Sequence, residues 1–347
     1  MISNDAKSLR SLNTKKIAVL RAGAIGDVIH TLPMVYALKD LRKVKITYLT
    51  SGYLLELLGQ VPAIDHLLEV DLKANPLFLP FVLQRQAKTL RAEKFHTFVD
   101  LQRHWKAGFL AEKSSASHIY TYQVWKEDEG HAWQNFASTY FPPPEIEKIH
   151  LQDYLPLFKI PPSLTKELWM QLKLPPEDNK PRIAIIPGVG HRRIERAWSI
   201  KAWIALIKML SFHCRIVLLG GNDDKDVCHH IESEFAIGPI EIHNLCGKLS
   251  LLQTACLLQQ ADLAVGGDTG PVHLSASLCT KTIMLFGPTS VLRHAPFYGR
   301  SLRAKYECDL SCTPKKCAHK NQKNCMDHIR PIDVYRVIEE YLSATQL

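Results

Sequence analysis

Short apolar, β-branched runs alternate with stretches of helical spacing along this chain, and the alternation starts afresh half-way. Residues 16–21 (Lys-Ile-Ala-Val-Leu-Arg) read as a buried strand. After the tight segment Ala22-Gly23-Ala24-Ile25-Gly26-Asp27, residues 28–40 read as a helix with Pro33 in its early turns, and 44–49 as a second strand. Strand, helix, strand predicts a parallel sheet. Residues 95–101 and 119–125 supply two more strands, the first running into Asp100-Leu101-Gln102-Arg103. Phe141-Pro142-Pro143-Pro144 breaks regular structure, 155–160 reads as helical, and Pro161-Pro162-Ser163 ends that helix.

Residues 174–181, Leu-Pro-Pro-Glu-Asp-Asn-Lys-Pro, read as an interdomain linker, with proline breaks and local charge. Beyond it the pattern repeats. A strand at 182–186 enters Pro187-Gly188-Val189-Gly190 and a basic run, His191, Arg192, Arg193 and Arg196, before Trp198 opens a helix. A strand at 214–219 enters Gly220-Gly221-Asn222-Asp223-Asp224 and another helix. A strand at 261–265 leads through Gly266-Gly267-Asp268-Thr269-Gly270 into a helix at 272–278, with Pro271 at its first position, and then a strand at 281–286. Residues 331–342 form a last amphipathic helix. The fold class expected is α/β, with two Rossmann-like domains facing each other across a cleft.

The 266–270 turn is the main candidate for chemistry. A strand that feeds a helix through glycines aims backbone N–H groups at one point, and the N-terminus of a helix favours an anion. A diphosphate fits such a site; an equally simple reading makes Asp268 or Thr269 a helix cap. The glycines and cations at 187–196 suggest phosphate in the same way, against a solvated charged loop. The first turn does not carry a dinucleotide fingerprint: Arg21 occupies the first glycine position, and the second strand ends at Leu49-Thr50-Ser51 with no acidic residue for a ribose. What remains there is Asp27, either a helix cap or a carboxylate held ionised by the helix dipole and able to take a proton.

The length of 347 residues suits two domains, and 46% hydrophobic with 22% charged residues is ordinary for globular chains. The net charge of +9 points to an anionic partner. Nucleic acid is not expected, because no basic-aromatic cluster or known binding motif is present; the P-loop pattern is also missing. Residues 1–16 are polar, unlike a signal peptide, and no apolar run reaches the roughly 18 residues that span a bilayer. The expectation is a cytoplasmic protein that touches a membrane at most peripherally. Residues 76–83 are strongly apolar and are followed by Arg85, Lys88, Arg91 and Lys94. They read as a helix over the sheet with a solvated face, or as a surface for an anionic, lipid-bearing acceptor.

Of nine cysteines, Cys214, Cys228, Cys246, Cys256 and Cys279 read as small buried hydrophobes. Cys308, Cys312, Cys317 and Cys325 cluster without a C-x2-C knuckle, which favours thiols packing a loop over a zinc site.

Three stretches together resemble one family. They are Gly26-Asp27-Val28-Ile29-His30-Thr31-Leu32-Pro33; Pro187-Gly188 followed by Arg196-Ala197-Trp198; and Gly267-Asp268-Thr269-Gly270-Pro271-Val272-His273 with Phe286-Gly287-Pro288-Thr289. With the cysteine-containing tail ending in Cys325-Met326, they resemble the bacterial lipopolysaccharide heptosyltransferases, glycosyltransferase family 9, across roughly residues 15–340. The resemblance implies a GT-B fold: an acceptor-binding domain over 1–174, a nucleotide-sugar-binding domain over 182–330, and a helix over 331–347 packing back toward the first domain. It implies inverting transfer of heptose from ADP-heptose, without an essential metal or other cofactor, to a lipid A–Kdo-type lipopolysaccharide acceptor at the inner face of the inner membrane. Asp27 matches the general base. Thr269 and Gly270 match donors to the diphosphate, Asp268 a contact to the donor sugar, and His273 a neighbour of the leaving group. Arg196 matches a basic residue on the phosphates that is usually Lys, and Arg brings a different hydrogen-bond geometry. Asp224, by its loop position, is a candidate for the adenosine ribose.

Overall fold

The computed structural model describes residues 16–124, 129–172, 174, 180–210, 214–237, 240, 242–304 and 325–343. They group into two compact units divided between Lys159 and Ile160.

The first unit contains strands β1 (Lys16–Leu20), β2 (Lys45–Thr50), β3 (His66–Glu69), β4 (Thr97–Asp100) and β5 (His118–Thr121). All pairings are parallel, in the order β3-β2-β1-β4-β5. Its helices are α1 (Ile25–Arg42), α2 (Leu55–Leu58), α3 (Leu79–Ala92), α4 (Trp105–Lys113), α5 (Ala132–Ala137) and α6 (Pro143–Ile146). Parallel strands need helical crossovers, and these cover both faces of the sheet, which is why β1 and β2 are almost continuously buried. On one face Leu79, Leu83, Ala87 and Leu90 of α3 and Ala107, Leu110 and Ala111 of α4 pack on Leu20, Leu49 and Phe98. On α1 an unbroken run from Val28 to Val35 is buried.

The second unit contains β6 (Arg182–Ile186), β7 (Arg215–Leu218), β8 (Ile242–Asn244), β9 (Leu263–Gly267), β10 (Thr282–Phe286) and β11 (Arg300–Arg303). Their order is β11-β10-β9-β6-β7-β8, again all parallel. The helices are α7 (Pro162–Gln171), α8 (Ile200–Leu210), α9 (Lys225–Ser233), α10 (Leu251–Gln260), α11 (Gly270–Ser277), α12 (Val291–His294) and α13 (Pro331–Ser343). Trp198, Trp203, Leu206, Ile216, Leu285, Val334 and Ile338 belong to one buried cluster. Both sheets follow the doubly wound order, which reverses direction next to its first strand: at β1/β4 in one unit and at β6/β9 in the other. Ligands of such sheets bind outside the strand C-termini at that reversal.

Several expectations change. Residues 155–160 are not helical; a 3-10 turn at Leu151–Tyr154 precedes irregular chain, and the helix begins where the prolines were expected to end it. Pro162 opens α7, because its fixed φ suits the first helical turn and its missing N–H is not needed there. The units divide ahead of α7 rather than at 174–181, since Thr165 and Leu168 are buried and α7 packs on α10. The last helix, α13, packs on α8 in its own unit. Four of the five scattered cysteines are buried, and Cys279 is half-buried. Residues 1–15 and Cys308, Cys312 and Cys317 lie outside the described residues. Cys325 is half-buried; a Cβ on Gly287 would stand 2.9 Å from its Sγ. No helix among the described residues is long and apolar enough to cross a membrane.

Candidate active site

Each unit gathers polar side chains at its sheet reversal. In the first unit, Arg21 follows β1 directly. Its Nη1 donates to the Leu101 carbonyl at 2.6 Å, and its Nη2 pairs with Asp27 Oδ2. The Phe136 ring lies 5.3 Å from the guanidinium carbon. Asp27 does not cap α1. The N-cap is Ala24, and Asp27 sits within the first turn, half-exposed, with Oδ1 making no hydrogen bond among the described residues. Beside them the Ala22 N–H donates to Gln102 Oε1 at 3.0 Å, which ties the β1 exit to the β4 exit. Asp100 is buried and accepts from the Gln102 and Arg103 N–H groups; burial still pushes its carboxyl up. Tyr53 reaches over the turn, and a Cβ on Gly23, whose φ is +154°, would meet its hydroxyl at 2.7 Å. Burial and the Asp27 charge raise the Tyr53 phenol.

In the second unit three strand exits enclose a cavity of about 400 Å³. Ile186, Gly188, Val189 and Gly190 come from β6, Gly221 to Asp224 from β7, and Thr269, Gly270 and Pro271 from β9. Asp224 joins two of these loops: Oδ1 accepts from the Gly190 N–H at 3.0 Å and Oδ2 from the Gly221 N–H at 2.9 Å. Gly188 lies so close that a Cβ would fall 2.1 Å from Asp224 Cγ. The exit of β9 opens into α11 with Thr269 as N-cap residue, but the Thr269 side chain makes no cap hydrogen bond. Its hydroxyl is buried and without a partner, as is that of Thr289 beyond β10. A buried hydroxyl left so costs about 1–3 kcal/mol, and a helix N-terminus is where an anion's oxygens can be accommodated.

Asp268, just before Thr269, is buried and fully engaged. Oδ2 accepts from Arg196 Nη1 at 2.9 Å, Oδ1 lies 3.0 Å from His273 Nε2, and the Asp268 carbonyl accepts from Arg196 at 3.1 Å. Burial alone would raise the Asp268 carboxyl. The His273 hydrogen bond and the charges of His273, His294 and Arg196 outweigh it and hold the group well below the usual carboxylate range. His294, 6.4 Å from His273 between ring centres, goes the other way: burial lowers it to about 4, with Asp268 opposing.

The family model for glycosyltransferase family 9 (heptosyltransferase) matches residues 83–326. The chain belongs to this family. It is 26% identical over 174 residues to the lipooligosaccharide heptosyltransferase 2 of Campylobacter jejuni, a match that covers 49% of this chain; the chain spans 54%, about half, of that relative's length. Its fold matches a glycosyl transferase family 9 structure from Veillonella parvula, with a TM-score of 0.79, 19% identity and coverage of 96% of this chain and all of the other. It also matches the ADP-heptose LPS heptosyltransferase II of Escherichia coli, with a TM-score of 0.76, 17% identity and the same coverage. The GT-B expectation holds: both units are the parallel, doubly wound layers that fold requires.

Of the residues singled out in this family member, Asp224, Thr269 and Gly270 line one cavity. Arg196, Asp268 and His273 form the buried network at the root of α11. Asp27 belongs to the other unit. Sequence reasoning missed Arg21 and His294. In the sequence Arg21 reads only as an obstacle to a glycine turn; the signal available is a cation at the exit of a first strand, six residues before a carboxylate. His294 follows a proline-bearing loop with nothing around it to give it away, and only folding brings it to Asp268.

Proposed function

We propose that this chain is an inverting glycosyltransferase that moves heptose from ADP-heptose to the inner core of lipopolysaccharide on the cytoplasmic side of the inner membrane. Relatives whose names specify ADP-heptose or lipopolysaccharide core support the donor and acceptor classes. The observation that carries the reading is the second unit's cavity: three strand exits, a helix N-terminus and a buried unpaired Thr269 hydroxyl meet there, in a volume suited to a nucleotide.

The diphosphate sits at the start of α11, where the backbone N–H groups of Thr269 and Gly270 face it. Negative charge grows on the departing β-phosphate oxygen, and the α11 dipole and the Arg196 cation stabilise it without a metal. Asp268 holds Arg196 and His273 in place and is thereby committed; with both oxygens engaged it is a poor candidate for a metal ligand. Asp224, whose oxygens brace the Gly190 and Gly221 N–H groups, keeps second lone pairs on both for the ribose hydroxyls. In the first unit, Arg21 grips Oδ2 of Asp27 and leaves Oδ1 for the acceptor hydroxyl. Asp27 takes that proton as the acceptor oxygen bonds to the anomeric carbon and the bond from that carbon to the phosphate oxygen breaks on the opposite side, which inverts the centre.

Calorimetric titration of the protein with ADP, UDP and GDP, without added metal, tests the donor half. Selective binding of ADP is expected. Preference for UDP or GDP moves the function to another nucleotide sugar, and no binding of any of the three removes the diphosphate site.

A further inference from the structure

The first unit carries a feature that the transfer chemistry does not use. Large apolar side chains stand in solvent where α3 and α4 begin: Leu77 is 79% exposed, Phe78 59%, Phe81 71% and Trp105 64%. These are not the ragged end of a core. On α3 the core face is complete without them, since Leu79, Leu83, Ala87 and Leu90 are buried against the sheet. Phe81 lies on the opposite face, in the same helical row as Gln84, Arg85 and Lys88, all exposed. Lys106, in the first turn of α4, donates to the Leu72 carbonyl and so ties the Trp105 turn to the loop that leads into Leu77 and Phe78. In a parallel sheet, helices that follow strands start at the strand C-terminal edge. The apolar tip therefore lies at the same edge of the unit as Asp27.

We propose that this tip docks the protein on an anionic lipid bilayer, with Leu77, Phe78 and Phe81 entering the interface, Trp105 at headgroup depth, and Arg85 and Lys88 on the lipid phosphates. Charge complementarity selects this occupant. Between Asp71 and Lys113 the chain carries eight Lys and Arg against four Asp and Glu. Of the four, Glu93 is paired with Lys16 and Asp100 is buried, whereas Arg85 and Lys88 form no ion pair among the described residues. Apolar residues flanked by cations on one helix face, with an aromatic beside them, have the composition of an interfacial anchor. A second copy of the chain suits the tip poorly, because a two-fold contact through this face sets Arg85 and Lys88 against their own copies. For a glycolipid acceptor, a link that rests on the function proposed above, docking here turns the Asp27 edge toward the membrane that holds the substrate.

Sedimentation with liposomes tests the inference on the full chain. The protein is expected to bind vesicles containing about a third phosphatidylglycerol and to leave neutral phosphatidylcholine vesicles in the supernatant. Arg85→Gln with Lys88→Gln should weaken binding about 30-fold, from roughly 1 kcal/mol per cation at an anionic surface. Leu77→Ser, Phe78→Ser and Phe81→Ser together should weaken it tenfold or more at unchanged thermal midpoint, the positions being exposed. ADP affinity, measured on the same variants, should not move, and it reports the donor site separately from the membrane contact. Wild-type protein that ignores the anionic vesicles, or a triple variant that binds them as well as wild type, would falsify the proposal. So would a dimer that the triple variant abolishes, since that assigns the tip to a second copy.

Discussion

Asp27, the proposed base, is held by Arg21, a residue whose spacing hides that contact. Arg21 spends one nitrogen on the Leu101 carbonyl and another on Asp27, so the carboxylate is fixed to the β1/β4 exit rather than to its own helix. Asp27→Ala is expected to lower turnover by about 10²–10⁴, the usual contribution of a general base, with ADP affinity unchanged. Arg21→Gln keeps Asp27 but frees it. Its expected effect is a fall in kcat of about tenfold or more, as misplacement of a reacting group can cost 10², again with ADP affinity unchanged in calorimetry. Arg196→Ala should weaken ADP binding and turnover together, because it removes the cation at the root of α11 and strips Asp268 of a partner. An unaltered ADP affinity in that variant would reject the phosphate role. At this scale the sequence pointed to the carboxylates and cations at the strand exits, and the structure places Asp224, Thr269 and Gly270 around one cavity. The sequence could not disclose that Asp268 is engaged on both oxygens, a fact of three-dimensional contact.

Among the elements, the long buried strands were legible because a strand covered on both faces is a continuous apolar run, as 16–20, 182–186 and 282–286 are. The edge strands β3, β8 and β11 escaped notice. They have three or four residues each, and their exposed sides carry charge or His, as in His66-Leu67-Leu68-Glu69 and Arg300-Ser301-Leu302-Arg303. The prolines of α7 misled because the same residue ends one helix and starts another, and only packing on α10 decides between them. The glycine loops were legible as loops, and their reason is now physical. Gly188→Ala would drive a methyl group into Asp224 and push it off the N–H groups of Gly190 and Gly221. The expected cost is about 1–3 kcal/mol of stability, read from thermal unfolding, together with a weaker ADP titration.

For the molecule as a whole, the buried network around Asp268 predicts how stability responds to acid. His294 has its folded-state value lowered to about 4, by burial first and by the neighbouring His273, Arg196 and Arg293 charges, with Asp268 opposing. A histidine held neutral in the fold leaves stability intact above its ordinary value near 6.5 and withdraws it as pH falls from there toward 4. The loss is on the order of 3 kcal/mol at 1.36 kcal/mol per pH unit. Asp268, held low, adds a further loss below about pH 4, where the unfolded chain takes up its proton first. Urea unfolding between pH 7 and 4.5 should show the first slope, and His294→Gln should flatten it. Nucleotide acts in the opposite sense: ADP at 100 times its Kd should stabilise the protein by about 2.7 kcal/mol.

Transfer of heptose with Asp27 as the base is the proposal on which the rest depends. The most direct measurement is the rate of ADP release from ADP-heptose with a heptose-free lipopolysaccharide core as acceptor, for wild type and Asp27→Ala, each matched by an ADP titration. Release is expected to require the acceptor, with an Asp27→Ala rate lower by about 10²–10⁴ at the same ADP affinity. Near wild-type release from Asp27→Ala would contradict it and leave Asp27 as no more than the partner of Arg21 in the first turn of α1.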